Sequence, residues 1–250
     1  MHIQVMRVII PSRKRVEACG HVLRMFPGAL VVIHEDEAAD YAVLGAELLA
    51  HPASVAGIAP LKNWILDNVP DETIFIVDDD ISALKAMPGR ATASAVIRDP
   101  VAIRQIVENA EQGARTLGTP VFGFNQNGGD VRKFKNQDPF GFSGWVGGAM
   151  GIIGRTLRFD SQLKLRADID FCLQAQKIYR CIFTDLRFAF VEQRFNNTGG
   201  NAGMRSAERN QHELAYLRQK WGKWLSVVEG KGTVMLKVHV NRRQNLVLVQ

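Results

Sequence analysis

Thr73-Ile74-Phe75-Ile76-Val77-Asp78-Asp79-Asp80-Ile81 runs β-branched and aromatic residues straight into three carboxylates. The apolar run predicts a strand buried on both faces. The acids then stand where that strand emerges, at the carboxyl edge of a sheet, and open α/β sheets bind ligands at that edge. Three adjacent acids repel one another. A divalent cation with oxygen ligands is the simplest group to neutralise them. A solvated acidic turn would read the same from this stretch alone. Side chains alternate along an extended chain, so Asp78 and Asp80 share a face and Asp79 points away. Of the three, Asp79 is therefore expected to tolerate change best.

Upstream, Arg7-Val8-Ile9-Ile10 reads as a short buried strand broken by Pro11-Ser12-Arg13. Val16, Cys19, Val22 and Phe26 then recur at helical spacing, and Pro27-Gly28 ends that helix. A strand–turn–helix with Ser12 and Arg13 in the turn can offer N–H groups and a guanidinium to an anion. Ala29–Ile33 is a second strand ending in His34-Glu35-Asp36-Glu37. Helix is predicted for Ala38–Leu44 and Gly57–Asn68, with Pro60 in the first turn of the latter, and Glu47–His51 reads as extended. Alternating strands and helices imply an α/β fold with a mostly parallel central sheet flanked by helices. Neither G-x-G-x-x-G after the first strand nor G-x-x-x-x-G-K-[ST] occurs, so dinucleotide-fold and P-loop readings lose their support.

Downstream, Asp99 caps a helix that opens at Pro100 and runs to Leu117-Gly118, after a strand at Ala91–Ile97. Pro120–Phe124 is a strand followed by a long polar loop, Asn125–Pro139, in which Arg132, Lys133 and Lys135 interleave with Phe134. Cations beside aromatics suit a nucleic-acid strand; a plain surface loop has the same composition. Phe142–Arg155 reads as a strand crowded with Gly147, Gly148 and other glycines, which mark bulges or a close approach, and Trp145 is either a stacking face or a core residue. Asp168 and Asp170 open a helix, where the dipole alone would favour them. Short strands at Cys181–Thr184 and Phe188–Val191 precede the small-residue loop Phe195–Gly203, a lid of the kind that closes on substrate. A helix follows from Ser206. Thr233–Val240 and Leu246–Val249 predict a hairpin added to the main sheet. The division expected is a main domain over 1–225 and a hairpin extension over 226–250 packed on it.

The chain of 250 residues is 46% hydrophobic and 22% charged, which suits one soluble domain with a small appendage. No apolar run approaches the ~18 residues of a membrane span, and the first residues read as strand rather than signal peptide. Cys19, Cys172 and Cys181 lie far apart in apolar contexts, as reduced thiols of a cytoplasmic protein would. The net charge of +6 is concentrated: Arg194–Arg243 carries ten Lys or Arg against three Glu, leaving the rest slightly acidic. A basic third on a near-neutral body suggests a polyanionic partner, though a soluble basic surface would look alike.

The turn Pro11-Ser12-Arg13, the Lys62-Asn63 helix, Asp78-Asp79-Asp80, Gly147-Gly148-Ala149 and Asp168-Ile169-Asp170 stand in one order. This order resembles the nucleotide-sugar transferases of the GT-A fold over about residues 3–222. The resemblance implies a Rossmann-like sheet and an Asp-x-Asp motif holding Mn²⁺ or Mg²⁺ through Asp78 and Asp80. Pro11, Ser12, Arg13, His34, Glu35, Asp36, Lys62, Asn63, Asp78 and Asp79 would face the donor. In inverting members a Glu-Asp pair supplies the base through its Asp. Asp168 matches that Asp, but Ala167 stands where the Glu would be, so Asp170 remains a rival. His212, in a helix pattern, is a weak match to a late metal-binding His.

More narrowly, Pro11-Ser12-Arg13-Lys14-Arg15, Ile33–Glu37 and Ile58–Asp67 resemble the TET-associated glycosyltransferases of bacteriophages. That resemblance implies transfer from a uridine diphosphate sugar to hydroxymethylated pyrimidines such as 5-hydroxymethylcytosine in phage DNA, in the infected host's cytoplasm. Arg132, Lys133, Lys135, Trp145, Gly147, Gly148, Asn197, Arg205 and Arg209 would then meet the acceptor. Three alternatives stay open: a GT-A enzyme acting on a glycan, lipid or protein, a nucleotidylyltransferase lacking its Gly-rich loop, and a non-catalytic DNA-binding accessory protein.

Overall fold

The computed structural model describes residues 6–86, 95–126, 138–192, 206–230 and 233–238. Its first half alternates as expected: β1 (Arg7–Pro11), α1 (Val16–Met25), β2 (Leu30–His34), α2 (Ala38–Tyr41), β3 (Glu47–His51), α3 (Ile58–Asn68) and β4 (Thr73–Val77). Then come β5 (Ile81–Ala86), β6 (Ala95–Ile97), α4 (Pro100–Leu117), β7 (Val121–Phe124), β8 (Phe140–Gly141) and β9 (Ala149–Ile153). The chain continues through α5 (Ala167–Tyr179), β10 (Phe183–Asp185), β11 (Phe188–Glu192), α6 (Ala207–Trp221), β12 (Leu225–Gly230) and β13 (Thr233–Val238).

Eight strands form the main sheet in the order β3-β2-β1-β4-β9-β7-β10-β8. Strands β3, β2, β1 and β4 are parallel, as are β7 and β10, whereas β9 runs antiparallel to both β4 and β7. Period-two alternation sends each strand's apolar residues to two faces. Ile9, Ile74, Ile76 and Ile152 pack on one face with Ile65 of α3 and Phe171 of α5. Val8, Ile10, Phe75 and Val77 pack on the other with Val22 of α1 and Val107 of α4. Helices on both faces explain why the central strands read as unbroken apolar runs.

The caps read from sequence form. Asp99 accepts from the N–H groups of Val101 and Ala102 at 3.1 and 3.3 Å, with Pro100 following it, and left-handed Gly118 closes α4. Such a cap is worth ~1 kcal/mol. Ser206 accepts from Arg209 N–H at 3.1 Å and opens α6.

Two expectations are corrected. Phe142–Gly148 is not strand; pairing starts at Ala149, because left-handed Gly144 and Gly148 interrupt the extended backbone before it. Among the described residues the C-terminal strands do not join the main sheet. Leu225–Gly230 pairs with Thr233–Val238 as a separate two-stranded sheet, and Leu225 is buried in the core on the α3/α5 side of the main sheet. The expected partner Leu246–Val249 lies outside the described residues, as do Phe195–Gly203 and most of the loop after β7. No helix among the described residues is long and apolar enough to cross a membrane.

Candidate active site

Parallel β2, β1 and β4 end on one edge, which brings together the Pro11–Arg13 turn, the His34–Asp36 strand end and Asp78–Asp80. Antiparallel β9 begins where β4 finishes, with Ala149 opposite Val77. Gly147 and Gly148 therefore lie against the acids, and Asp78 N–H donates to Gly148 C=O at 2.7 Å.

Those two glycines are required by what surrounds them. A Cβ on Gly147 would overlap Asp168 Oδ2 and sit 3.2 Å from the Trp145 ring. Gly148 has φ +66°, and a Cβ there would overlap the Glu192 carboxylate. Carboxylates from α5 and β11 thus rest on one dipeptide of bare backbone, which the Asp78 N–H also meets. Glu192 reaches it because β11 pairs antiparallel with β5, placing Glu192 opposite Ile81, next to Asp80.

The field is negative and partly dry. Burial drives Asp78 up to about 7, with Lys62 opposing and Asp80, Glu192 and Asp79 adding to the rise. Burial also raises Asp168, again against Lys62, while its Oδ1 accepts from Ile169 N–H at 2.9 Å. Lys62 is buried, and its charge acts on both acids. It projects from α3 with its ammonium 5.4 Å from the Phe159 ring centroid, and Phe159 stacks on Phe171 at 4.1 Å.

Asn63 spends its side-chain amide on the Phe159 backbone. Its amide donates to Phe159 C=O and accepts from Phe159 N–H, both at 2.8 Å. Arg155, just beyond β9, donates to the carbonyls of Leu66, Val69 and Glu72 at 2.9–3.1 Å and ties the end of α3 to the sheet.

The acids sort differently from the sequence reading. Asp79, expected to be tolerant, is buried: it accepts from Ser12 Oγ at 2.7 Å and from Arg15 at 2.9 Å. Ser12 Oγ also bonds Tyr41 Oη at 2.7 Å, and Tyr41 Oη accepts from Arg15 N–H. This network bolts the turn after β1 to the end of β4, so Ser12 and Asp79 use their side chains on each other. Asp170 is fully buried and accepts from Gln174 and Trp221 at 2.7 and 2.8 Å, with Lys220 at 2.8 Å. Gln174 lies on α5 with Asp170, whereas Trp221 and Lys220 reach across from α6 and hold it against α5, so the Asp170 carboxylate is engaged in the packing of the helices. Asp168 stands at the glycines.

At the β2 end, His34 Nδ1 accepts from Asp36 N–H at 3.3 Å, and Glu35 accepts from Ala53 N–H at 2.9 Å. The His34 and His51 rings meet edge to face at 5.2 Å, with Trp64 beyond, and burial lowers His51 below the usual imidazole range. Half-exposed Arg13 faces buried Glu37 at 3.6 Å. Trp145 is half-buried against the core. His212 and Arg209 are exposed on α6. Arg132, Lys133, Lys135, Asn197 and Arg205 lie outside the described residues.

Among the described residues no three His, Cys, Asp or Glu side chains converge as a closed metal cage. Mg²⁺ needs none: one or two carboxylates, with substrate phosphates and water, complete its shell. Oxygen-only donors suit Mn²⁺ equally. Asp78 and Asp80 offer that donor set, and the raised Asp78 marks a field that a cation relieves. The residues fit such an ion.

Sequence reasoning missed Glu192, Tyr41 and Arg15. Glu192 had a signal, an acid at the end of a predicted strand, as at Asp78. The other two had none, because their partners lie on separate elements.

The sequence pattern of the TET-associated glycosyltransferase family matches residues 6–200. No curated protein matches the chain in sequence. Among solved structures, the chain is similar to glucosyl-3-phosphoglycerate synthase from Mycobacterium tuberculosis, determined with Mn²⁺, UDP-glucose and phosphoglyceric acid. Identity is 12%, coverage 94% of this chain and 87% of that one, and the TM-score 0.53. Mannosyl-3-phosphoglycerate synthase from Rubrobacter xylanophilus is similar at 14% identity, covering 95% and 85%, with a TM-score of 0.51. At such identities the likeness is one of fold, the GT-A fold.

Proposed function

The chain belongs to the TET-associated glycosyltransferases, and on that premise we propose that it transfers a sugar from a UDP-sugar to a hydroxymethylated pyrimidine, 5-hydroxymethylcytosine foremost, in phage DNA. The observation that carries the reading is the meeting of Asp168 with the Asp78–Asp80 strand end across Gly147-Gly148. A base and a phosphate anchor must stand that close for a hydroxyl to attack a sugar still joined to its diphosphate.

The donor's base and ribose lie along the Pro11–Arg13 turn and the His34–Asp36 strand end. Lys62 offers its ammonium to the diphosphate. Asp78 and Asp80 would hold Mn²⁺ or Mg²⁺, as the mycobacterial synthase holds Mn²⁺ with UDP-glucose. When bound, such an ion supplies Lewis-acid stabilisation of the leaving group. Asp168 takes the proton from the acceptor hydroxyl as its oxygen bonds to the anomeric carbon. The bond to the diphosphate breaks with its electron pair leaving on UDP, and in-line attack inverts the anomeric centre. The glycines keep this face clear for the acceptor, beside Trp145. A base inside a duplex is flipped out to reach Asp168, and Arg209 with the other basic residues of the C-terminal third holds the phosphates.

The test is incubation with 5-hydroxymethylcytosine DNA and a panel of nucleotide sugars, with and without Mn²⁺, followed by mass spectrometry of the nucleosides. A hexose adduct on the modified base that depends on the ion is expected. Transfer only to a glycan, lipid or protein, or DNA binding with no turnover of any nucleotide sugar, overturns the reading.

A further inference from the structure

Glu192 takes no part in the roles given above, yet it stands at the reacting centre. β11 shifts register between Val191 and Glu192, and such an irregularity re-aims a side chain at a strand end. The carboxylate rests on the Gly148 backbone as Asp168 rests on Gly147. The two glycines are consecutive, their Cα atoms ~3.8 Å apart across a trans peptide. The Glu192 charge adds to the rise of Asp168. Carboxylates from α5 and β11 therefore rest on consecutive residues of the same backbone.

We propose that Glu192 reads the acceptor base, accepting from the exocyclic amine of 5-hydroxymethylcytosine while Asp168 takes the proton of the neighbouring hydroxymethyl group. The inference rests on the DNA reading above. The amine and the hydroxymethyl group occupy adjacent ring carbons of that base, and both donate hydrogens. An ionised carboxylate only accepts, so two adjacent carboxylates match two adjacent donors. 5-Hydroxymethyluracil has a carbonyl oxygen where cytosine has the amine, and that oxygen meets Glu192 acceptor to acceptor. Glu192 exchanges no proton; it selects the base and fixes its rotation.

The experiment is competition between oligonucleotides carrying 5-hydroxymethylcytosine or 5-hydroxymethyluracil, with the UDP-hexose that supports turnover, read by mass spectrometry. Wild type is expected to favour the cytosine by roughly 10-fold or more, the scale of a specific base contact. Glu192→Gln, whose amide can donate to the uracil oxygen, is expected to erase or invert that ratio. Glu192→Asp keeps a carboxylate and is expected to keep the sign of the preference at lower turnover. A purely structural Glu192 would lower both rates together and leave the ratio unmoved, which overturns the proposal. So does a wild type indifferent to the base or favouring uracil. Transfer to neither oligonucleotide overturns the DNA reading itself and this inference with it.

Discussion

Asp79→Ala tests whether the middle acid of the triplet is a bolt or a spare. Its carboxylate is 8% exposed, and it meets Arg15, 14% exposed, at 2.9 Å and Ser12 at 2.7 Å. Removing one partner of a buried ion pair costs ~3–5 kcal/mol, because the remaining charge stays out of water. That is a large part of the ~5–15 kcal/mol that holds a domain together. At ~2–4 °C per kcal/mol for a chain of this size, the midpoint should fall by ~6–20 °C. Asp67→Ala is the control. Asp67 and Arg158 also pair at 2.9 Å, but both are about half exposed, so the loss should stay within ~1 kcal/mol. Urea and thermal denaturation followed by circular dichroism measure both. A double variant, Asp79→Ala with Arg15→Met, should recover part of the loss, since the stranded charge goes with it. An Asp79→Ala protein melting within the range of the Asp67→Ala control would refute the reasoning, and the alternation argument from sequence would stand.

Asp168→Asn should abolish transfer while UDP still binds by calorimetry; Asp170→Asn should lower the melting midpoint by loosening α6 yet leave measurable turnover, and a dead, normally stable Asp170→Asn would make Asp170 the base instead. The base must be ionised to act, and burial raises Asp168 above the ordinary carboxylate range with Lys62 opposing. Activity should accordingly fall as pH drops through that raised value, and Lys62→Met should move the acid limb of the pH–rate profile further up; an unmoved limb would remove Lys62 from the site's electrostatics. Gly148→Ala should cut turnover by an order of magnitude or more, since a left-handed φ of +66° and overlap with Glu192 cost ~1–3 kcal/mol of strain at the centre of the site; steady-state kinetics at full occupancy of donor would read it. Transfer to DNA should weaken steeply between low and moderate salt, and a flat salt profile would point to another acceptor.

Local pattern carried much of the fold. Five of the main-sheet strands, β1, β2, β3, β4 and β7, and the caps at Asp99 and Ser206 follow from periodicity and from residues within a few positions of each other. Part of the site was legible for the same reason. Asp78, Asp80 and Asp168 each mark the end of an element, and the glycines announced a close approach before its partners were known. Glu192 was marked only as an acid at a strand end; its meeting with Gly148 and the Tyr41–Ser12–Asp79–Arg15 network were not legible, because each contact joins residues far apart in the chain, such as Ser12 to Asp79 and Gly148 to Glu192.

By itself the sequence determined that a buried strand delivers three acids to a sheet edge, since apolar run length and charge are local properties. Only the tertiary structure decided what each acid does. The antiparallel turn of β9 set Gly147-Gly148 against Asp78, the start of α5 brought Asp168 to the same backbone, and the end of β11 brought Glu192. Asp79 went to Arg15 and Asp170 to Lys220 and Trp221. A carboxylate's role follows from the charges and donors around it and from how much water they exclude, and those neighbours come from the packing of distant segments.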